Sequence, residues 1–136
     1  MTITSNQTDA SFHLASQANV AVQVSSVLAQ RQPWWPSVSY EIRQMVETYP
    51  VDMHALNRSL TWLVNLPRSM PRPEIGFGED GSVSVEWDRR GNVLHARFER
   101  ECAEIYFCGA NGDEFETSMD AGEDKIRSAV VSIVVS

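Results

Sequence analysis

Lysine, cysteine and long apolar runs are scarce in this chain of 136 residues. Lys125 is the single lysine beside ten arginines. The two cysteines, Cys102 and Cys108, lie near the ends of one candidate strand. An extended strand would hold them about 20 Å apart, whereas a disulfide needs Cα atoms within about 7 Å. We therefore expect two free thiols, which fits a reducing compartment.

Membrane and export signals are also missing. No apolar stretch approaches the roughly 18 residues that a membrane span requires. The polar start of the chain lacks the basic and apolar regions of a signal peptide. We therefore expect a cytoplasmic protein without membrane association. Residues 1–10 are predicted to be a disordered tail, and residues 11–136 a single domain.

Recognisable catalytic and metal-binding motifs are absent. The spacing of His95, Cys102 and Cys108 matches no common zinc pattern, and no fourth ligand lies nearby in sequence. Cys102 lies among three glutamates, whose negative field raises a thiol pKa and weakens a nucleophile. We therefore expect no metal, no cofactor and no enzymatic activity.

Negative charge is concentrated in the second half of the chain, and the net charge is −7. Residues 1–72 carry five basic and four acidic groups, whereas residues 73–136 carry six basic and fourteen acidic groups. An acidic surface repels phosphate, which disfavours direct nucleic-acid binding. It attracts basic protein surfaces instead. Solubility alone is the alternative explanation of the charge.

Helical periodicity predominates before residue 66. The apolar spacing in residues 11–31 favours an amphipathic helix, although valines at alternate positions are also compatible with a strand. Residues 39–49 carry apolar side chains at helical spacing, and so do residues 52–66. Asp52 is placed to cap the second of these helices. The helical part of the domain is thus predicted over about residues 11–66.

Alternating apolar and polar residues predict an antiparallel β-meander of about four strands over residues 73–119. Trp87, Phe98 and Phe107 fall at positions that share one face. Residues 123–134 return to helical spacing. The fold class predicted is α+β, with N-terminal helices packed on the meander and a C-terminal helix completing the cover.

The polar face of the meander supplies one group of candidate binding residues. Glu86, His95, Arg97 and Tyr106 form what we call the outward cluster, with side-chain types that serve binding or acid–base chemistry. An exposed sheet face also needs charge for solubility. The candidate partner-binding residues of the meander are Glu86, Arg97, Glu99, Glu101, Glu104 and Tyr106.

Trp34 and Trp35 form a second candidate site, flanked by Pro33 and Pro36. The prolines are expected to break any helix or strand here. Exposed tryptophans are frequent binding hot spots, so the pair is a candidate docking point. The alternative is that both tryptophans pack against the helices and fix the segment in which they lie.

A short structural pattern resembles a set of uncharacterised small bacterial proteins. It consists of Leu66-Pro67, then Pro71-Arg72-Pro73, then Asp80-Gly81 ahead of Val83, Val85 and Trp87. In that family a helix ends in Leu-Pro, a proline-rich step follows, and a strand begins with Asp-Gly and contains a tryptophan. The resemblance covers about residues 52–108. It implies a bacterial, phage or mobile-element origin and transfers no catalytic residue.

These observations predict a non-enzymatic inhibitor of a partner protein, of the antitoxin, immunity or anti-defence type, that occupies a basic surface. One alternative is a small enzyme or ligand-binding domain that uses the outward cluster. Another is a subunit of a larger assembly that docks through Trp34 and Trp35.

Overall fold

The computed structural model describes residues 27–29 and 31–136. Residues 27–29 and 31 are helical. The rest of the helix or strand considered for residues 11–31, and the tail considered for residues 1–10, lie outside the described residues. From residue 35 onward the elements are α1 Trp35–Thr48, α2 Met53–Val64, β1 Glu74–Phe77, β2 Val83–Arg89, β3 Asn92–Phe98, β4 Ala103–Cys108, β5 Glu114–Ser118 and α3 Glu123–Val134.

The five strands form one antiparallel sheet in the order β1-β2-β3-β4-β5. The predicted α+β class is confirmed, with five strands where about four were expected. β1 accounts for the difference. It has only four residues, contains Gly76 and follows Pro73, all of which weaken a strand signal. Pairing nevertheless aligns Ile75 with Val85 and places both in the core.

Alternation along the strands separates a core face from an outer face. Trp87, Phe98 and Phe107 share the core face, as predicted, and all three are buried. The helices lie on this same side, with α1 against β1, α2 against β2 and β3, and α3 against β3. No described element covers the opposite face of the sheet. None of the described helices is long and apolar enough to cross a membrane.

The turn between β2 and β3 fixes the register of the sheet. Arg90 and Gly91 are its two central residues, with φ of 50° and 86°. Positive φ at both positions matches the twist of a two-residue hairpin, and glycine adopts it without steric cost. Only these two residues separate the paired positions Arg89 and Asn92.

Two helix starts show how local chemistry sets the boundaries. α1 begins at Trp35, before the predicted residue 39, because Pro36 lies in the first turn, where its missing N–H is harmless. The expectation that Pro36 breaks the helix is therefore wrong. Asp52 caps α2 as predicted, and its Oδ1 accepts hydrogen bonds from the N–H groups of His54 at 2.9 Å and Ala55 at 3.1 Å.

The proline-rich connection between α2 and β1 is held by two indoles. The Trp34 Nε1–H donates to the Met70 carbonyl at 3.0 Å. The Trp87 Nε1–H donates to the Pro71 carbonyl at 2.7 Å. Since prolines cannot donate backbone hydrogen bonds, side-chain donors from outside the segment supply part of its ordering.

Candidate functional site

The outer face of the sheet is a charged surface formed by regular structure in the described chain. We use the name outer face for the strand positions that point away from the helices. They are Glu74, Gly76, Ser84, Glu86, Asp88, Val93, His95, Arg97, Glu104, Tyr106, Cys108, Glu114, Glu116 and Ser118. Six of these positions carry carboxylates, and one carries arginine. The face is therefore strongly acidic.

Strand register brings most of the predicted site residues together. Glu86 lies opposite His95, which lies opposite Tyr106, so three members of the outward cluster form one row across the sheet. Arg97 lies in the next row, opposite Glu104. Directly opposed residues have Cβ atoms about 4.5–5.5 Å apart. The outward cluster is therefore a contiguous patch.

The single arginine of the outer face is already ion-paired. Arg97 Nη2 lies 2.5 Å from Asp80 Oδ2 and 3.4 Å from Glu99 Oε1. The Ser82 hydroxyl and N–H donate to Asp80 and, together with Arg97, lower the pKa of that carboxyl. Asp80 and Glu99 are not outer-face positions, so the positive charge of Arg97 is used outside the face. The carboxylates of the outer face therefore keep their negative charge.

Tyr106 is held in its protonated form. Its hydroxyl donates to Glu114 Oε1 at 3.0 Å. That hydrogen bond, followed by partial desolvation and the charge of Glu114, raises the pKa of Tyr106 to about 12. Near neutral pH the phenol is a hydrogen-bond donor, which suits binding better than proton abstraction.

Glu99 and Glu101 lie beside the outer face, in the exposed turn between β3 and β4. The Cys102 thiol donates to Glu99 Oε2 at 3.3 Å. This hydrogen bond, with some desolvation and the charges of Glu99 and Glu104, raises the pKa of the Cys102 thiol, as the sequence predicted. Both cysteines are free thiols, which confirms that prediction too.

The Trp34–Trp35 pair is not exposed. Trp34 is 9% and Trp35 5% accessible, and both belong to the main hydrophobic core. The alternative in which they pack and fix the connection is therefore the one that the structure bears out. In this fold neither ring is offered to a partner as the exposed docking point that was considered.

A groove beside α2 was missed by sequence reasoning. We call it the α2 groove, and it has a volume of about 520 Å³. It is lined by His54, Asn57, Arg58, Thr61, Trp62, Asn65, Phe98, Arg100, Ala103, Met119 and Asp120. The signal that was available is Trp62, a large aromatic at the edge of an otherwise polar helical stripe.

Among the described residues, no group of three or more His, Cys, Asp or Glu side chains is placed to hold a metal ion. No family model matches the chain, and neither a curated protein nor a solved structure matches it.

Proposed function

We propose that this protein binds a basic surface of a partner protein through its outer face and inhibits the partner by occupying that surface. The observation that supports this is the outer face itself, with six carboxylates, one ion-paired arginine and no helix of the described chain above it. Opposite potentials accelerate encounter and select partners of the right sign.

The size of the face suggests which neighbours take part. Five strands spaced about 4.8 Å apart and about 20 Å long give a projected area of about 400 Å². A standard interface buries about 800 Å² of accessible surface on each partner. Additional contacts from the adjoining turn would therefore be needed, and Glu99 and Glu101 are the exposed carboxylates there. They extend the acidic surface without changing its sign.

The negative charge of the outer face also limits which classes of molecule can be the partner. Phosphate is repelled by such a face, so we infer that the protein does not bind nucleic acid directly. A surface that itself binds nucleic acid is a suitable basic target. Within this class an antitoxin, immunity or anti-defence inhibitor acting in the cytoplasm fits best. The partial resemblance to small bacterial proteins supports a bacterial or mobile-element origin.

One observation favours a second candidate, a ligand-binding or enzymatic role for the outward cluster. A hollow of about 530 Å³ lies over one end of the outer face, lined in part by Ser84, His95 and Arg97. A small ligand could meet the imidazole and guanidinium there. We rank this role second because the guanidinium that a ligand would meet is already ion-paired: Arg97 contacts Asp80 and Glu99.

The test begins with the partner, isolated by affinity capture from the native host and identified by mass spectrometry. Association kinetics are then measured at low and moderate salt with a triple variant of the outer face, Glu86→Gln, Glu104→Gln and Glu116→Gln. We expect an on-rate about tenfold lower at low salt and a weaker salt dependence, since steering acts mainly on association.

The matched control neutralises the same number of charges away from the outer face, at Glu47→Gln, Asp120→Asn and Asp124→Asn, all of which are exposed. It should change the on-rate less than about twofold. If the two triple variants change the on-rate equally, or if the on-rate does not depend on salt concentration, the acidic charge serves solubility alone. Turnover of a small molecule that depends on His95 would favour the second candidate.

A further inference from the structure

We propose that the α2 groove is a second binding site, independent of the outer face, and that it takes a peptide segment carrying one carboxylate next to an apolar side chain. The carboxylate is bound at Arg58, and the apolar side chain packs on Trp62. The outer face selects for positive charge, whereas this groove selects for a single negative charge.

Helical spacing builds one wall of the groove. His54, Arg58, Thr61 and Asn65 follow each other at intervals of four, three and four residues, which places them on one stripe of α2. The opposite wall comes from Phe98 and from residues that follow β3 and β5. Because both walls belong to regular elements or their ends, the groove is formed before any ligand arrives.

Trp62 gives the groove an apolar floor with a fixed position. Its ring packs edge-on against Trp87 and in a tilted arrangement against Phe98, with 5.7 Å between ring centroids in each pair. The side chain is only partly buried, so part of the indole remains available. An aromatic that is already immobilised loses little conformational entropy when a ligand packs on it.

Arg58 supplies the positive charge. Its Nε donates to the Arg100 carbonyl at 3.0 Å, which orients the guanidinium. Arg58 forms no ion pair with a carboxylate of the described residues, whereas Arg100 is paired with Asp52 at 2.9 Å. An oriented, unpaired guanidinium suits the planar carboxylate of a ligand. Asp120, which also lines the groove, disfavours ligands with several negative charges.

Asn57 adds a hydrogen-bond requirement. Asn57 is one of the residues that line the groove, and its Oδ1 is buried and accepts no hydrogen bond from the described chain. Buried acceptors are normally satisfied, so a small rotation toward a ligand N–H would relieve it. An N–H, a carboxylate and an apolar side chain within a few bonds of each other are the elements of the C-terminal residue of a peptide.

The experiment uses the full chain and N-acetylphenylalanine, which carries these three groups in minimal form. Titration is followed by ¹H–¹⁵N NMR. We expect shifts confined to α2 residues 54–65, the Trp62 indole N–H and the turn after β3. The neutral control, N-acetylphenylalanine amide, should bind about tenfold more weakly because it lacks the charge-assisted contact.

Arg58→Gln should weaken binding of the acid about tenfold and leave binding of the amide nearly unchanged. The matched control is Arg43→Gln, another exposed arginine, on α1, which should change neither. The outer-face triple variant should also bind the probe normally, which separates this site from the proposed function. The proposal is overturned if no localised shifts occur, if acid and amide bind equally, if Arg58→Gln has no effect, or if inorganic phosphate displaces the acid at equal concentration.

Discussion

Trp87 offers the sharpest test of the fold, because it joins the sheet to the connection before β1. The side chain is 2% exposed, and its indole donates to the Pro71 carbonyl at 2.7 Å. A tryptophan buries about 150–250 Å², which corresponds to about 4–6 kcal/mol at about 25 cal/mol per Å². Partial relaxation reduces this, so Trp87→Ala should lower the free energy of unfolding by about 3–5 kcal/mol.

Trp87→Phe separates the hydrogen bond from most of the apolar contact. It leaves the Pro71 carbonyl without its indole donor, which costs about 1–3 kcal/mol. Urea denaturation measures both variants, and Tyr40→Phe, at a side chain that is 67% exposed, is the control expected within about 0.5 kcal/mol of wild type. If Trp87→Ala is equally neutral, the strand register is wrong by one residue, since such a slip turns Trp87 to the outer face.

Three further predictions concern surface chemistry. Glu86→Ala and His95→Ala should each change the free energy of unfolding by less than about 0.5 kcal/mol in urea denaturation, and a larger loss would reveal a structural role. Burial raises the pKa of the Asp52 carboxyl, but the hydrogen bonds it accepts and the charge of Arg100 lower that pKa by more, so it lies below the value in the unfolded chain. The stability that Asp52 contributes is therefore complete above the unfolded-state pKa and is lost as pH falls through the folded-state pKa. Asp52→Asn should flatten the stability profile below about pH 4, and an unchanged profile contradicts this. Glu99→Gln should accelerate alkylation of Cys102 near pH 8 in a Cys108→Ser background, because it weakens the hydrogen bond that the thiol donates and removes the negative charge, both of which raise the thiol pKa. An unchanged rate would show that Glu99 does not control the thiol.

The meander was predictable because its signal is local. Alternation over Val83, Val85 and Trp87 admits only one register, since a shift of one residue would expose all three. The tight turn at Arg90 and Gly91 then determines which residues of β2 and β3 oppose each other. The outward cluster could be assembled from the sequence for this reason.

The remaining features depend on contacts between distant segments. The α2 groove exists because α2 approaches the turn after β3, where Arg58 meets the Arg100 carbonyl across 42 positions of sequence. The burial of Trp34 likewise depends on Met70, 36 positions away. No periodicity in either segment encodes the approach of the other, so a local pattern could not decide between exposed and packed tryptophans.

The neighbour-to-neighbour order of the strands has a consequence for how the chain folds. Every strand pairs with the next one in sequence, so each pairing closes only a short loop. The contacts that fix the helices, such as Trp34 to Met70 and Asn92 to Ser136, span 36 and 44 positions. We expect the sheet to form first and the helices to dock later. During synthesis α1 and α2 leave the ribosome before the sheet exists, and their apolar faces have no surface to pack against until the strands follow. The sheet, which is made after α1 and α2, is then expected to fold before either of them is packed.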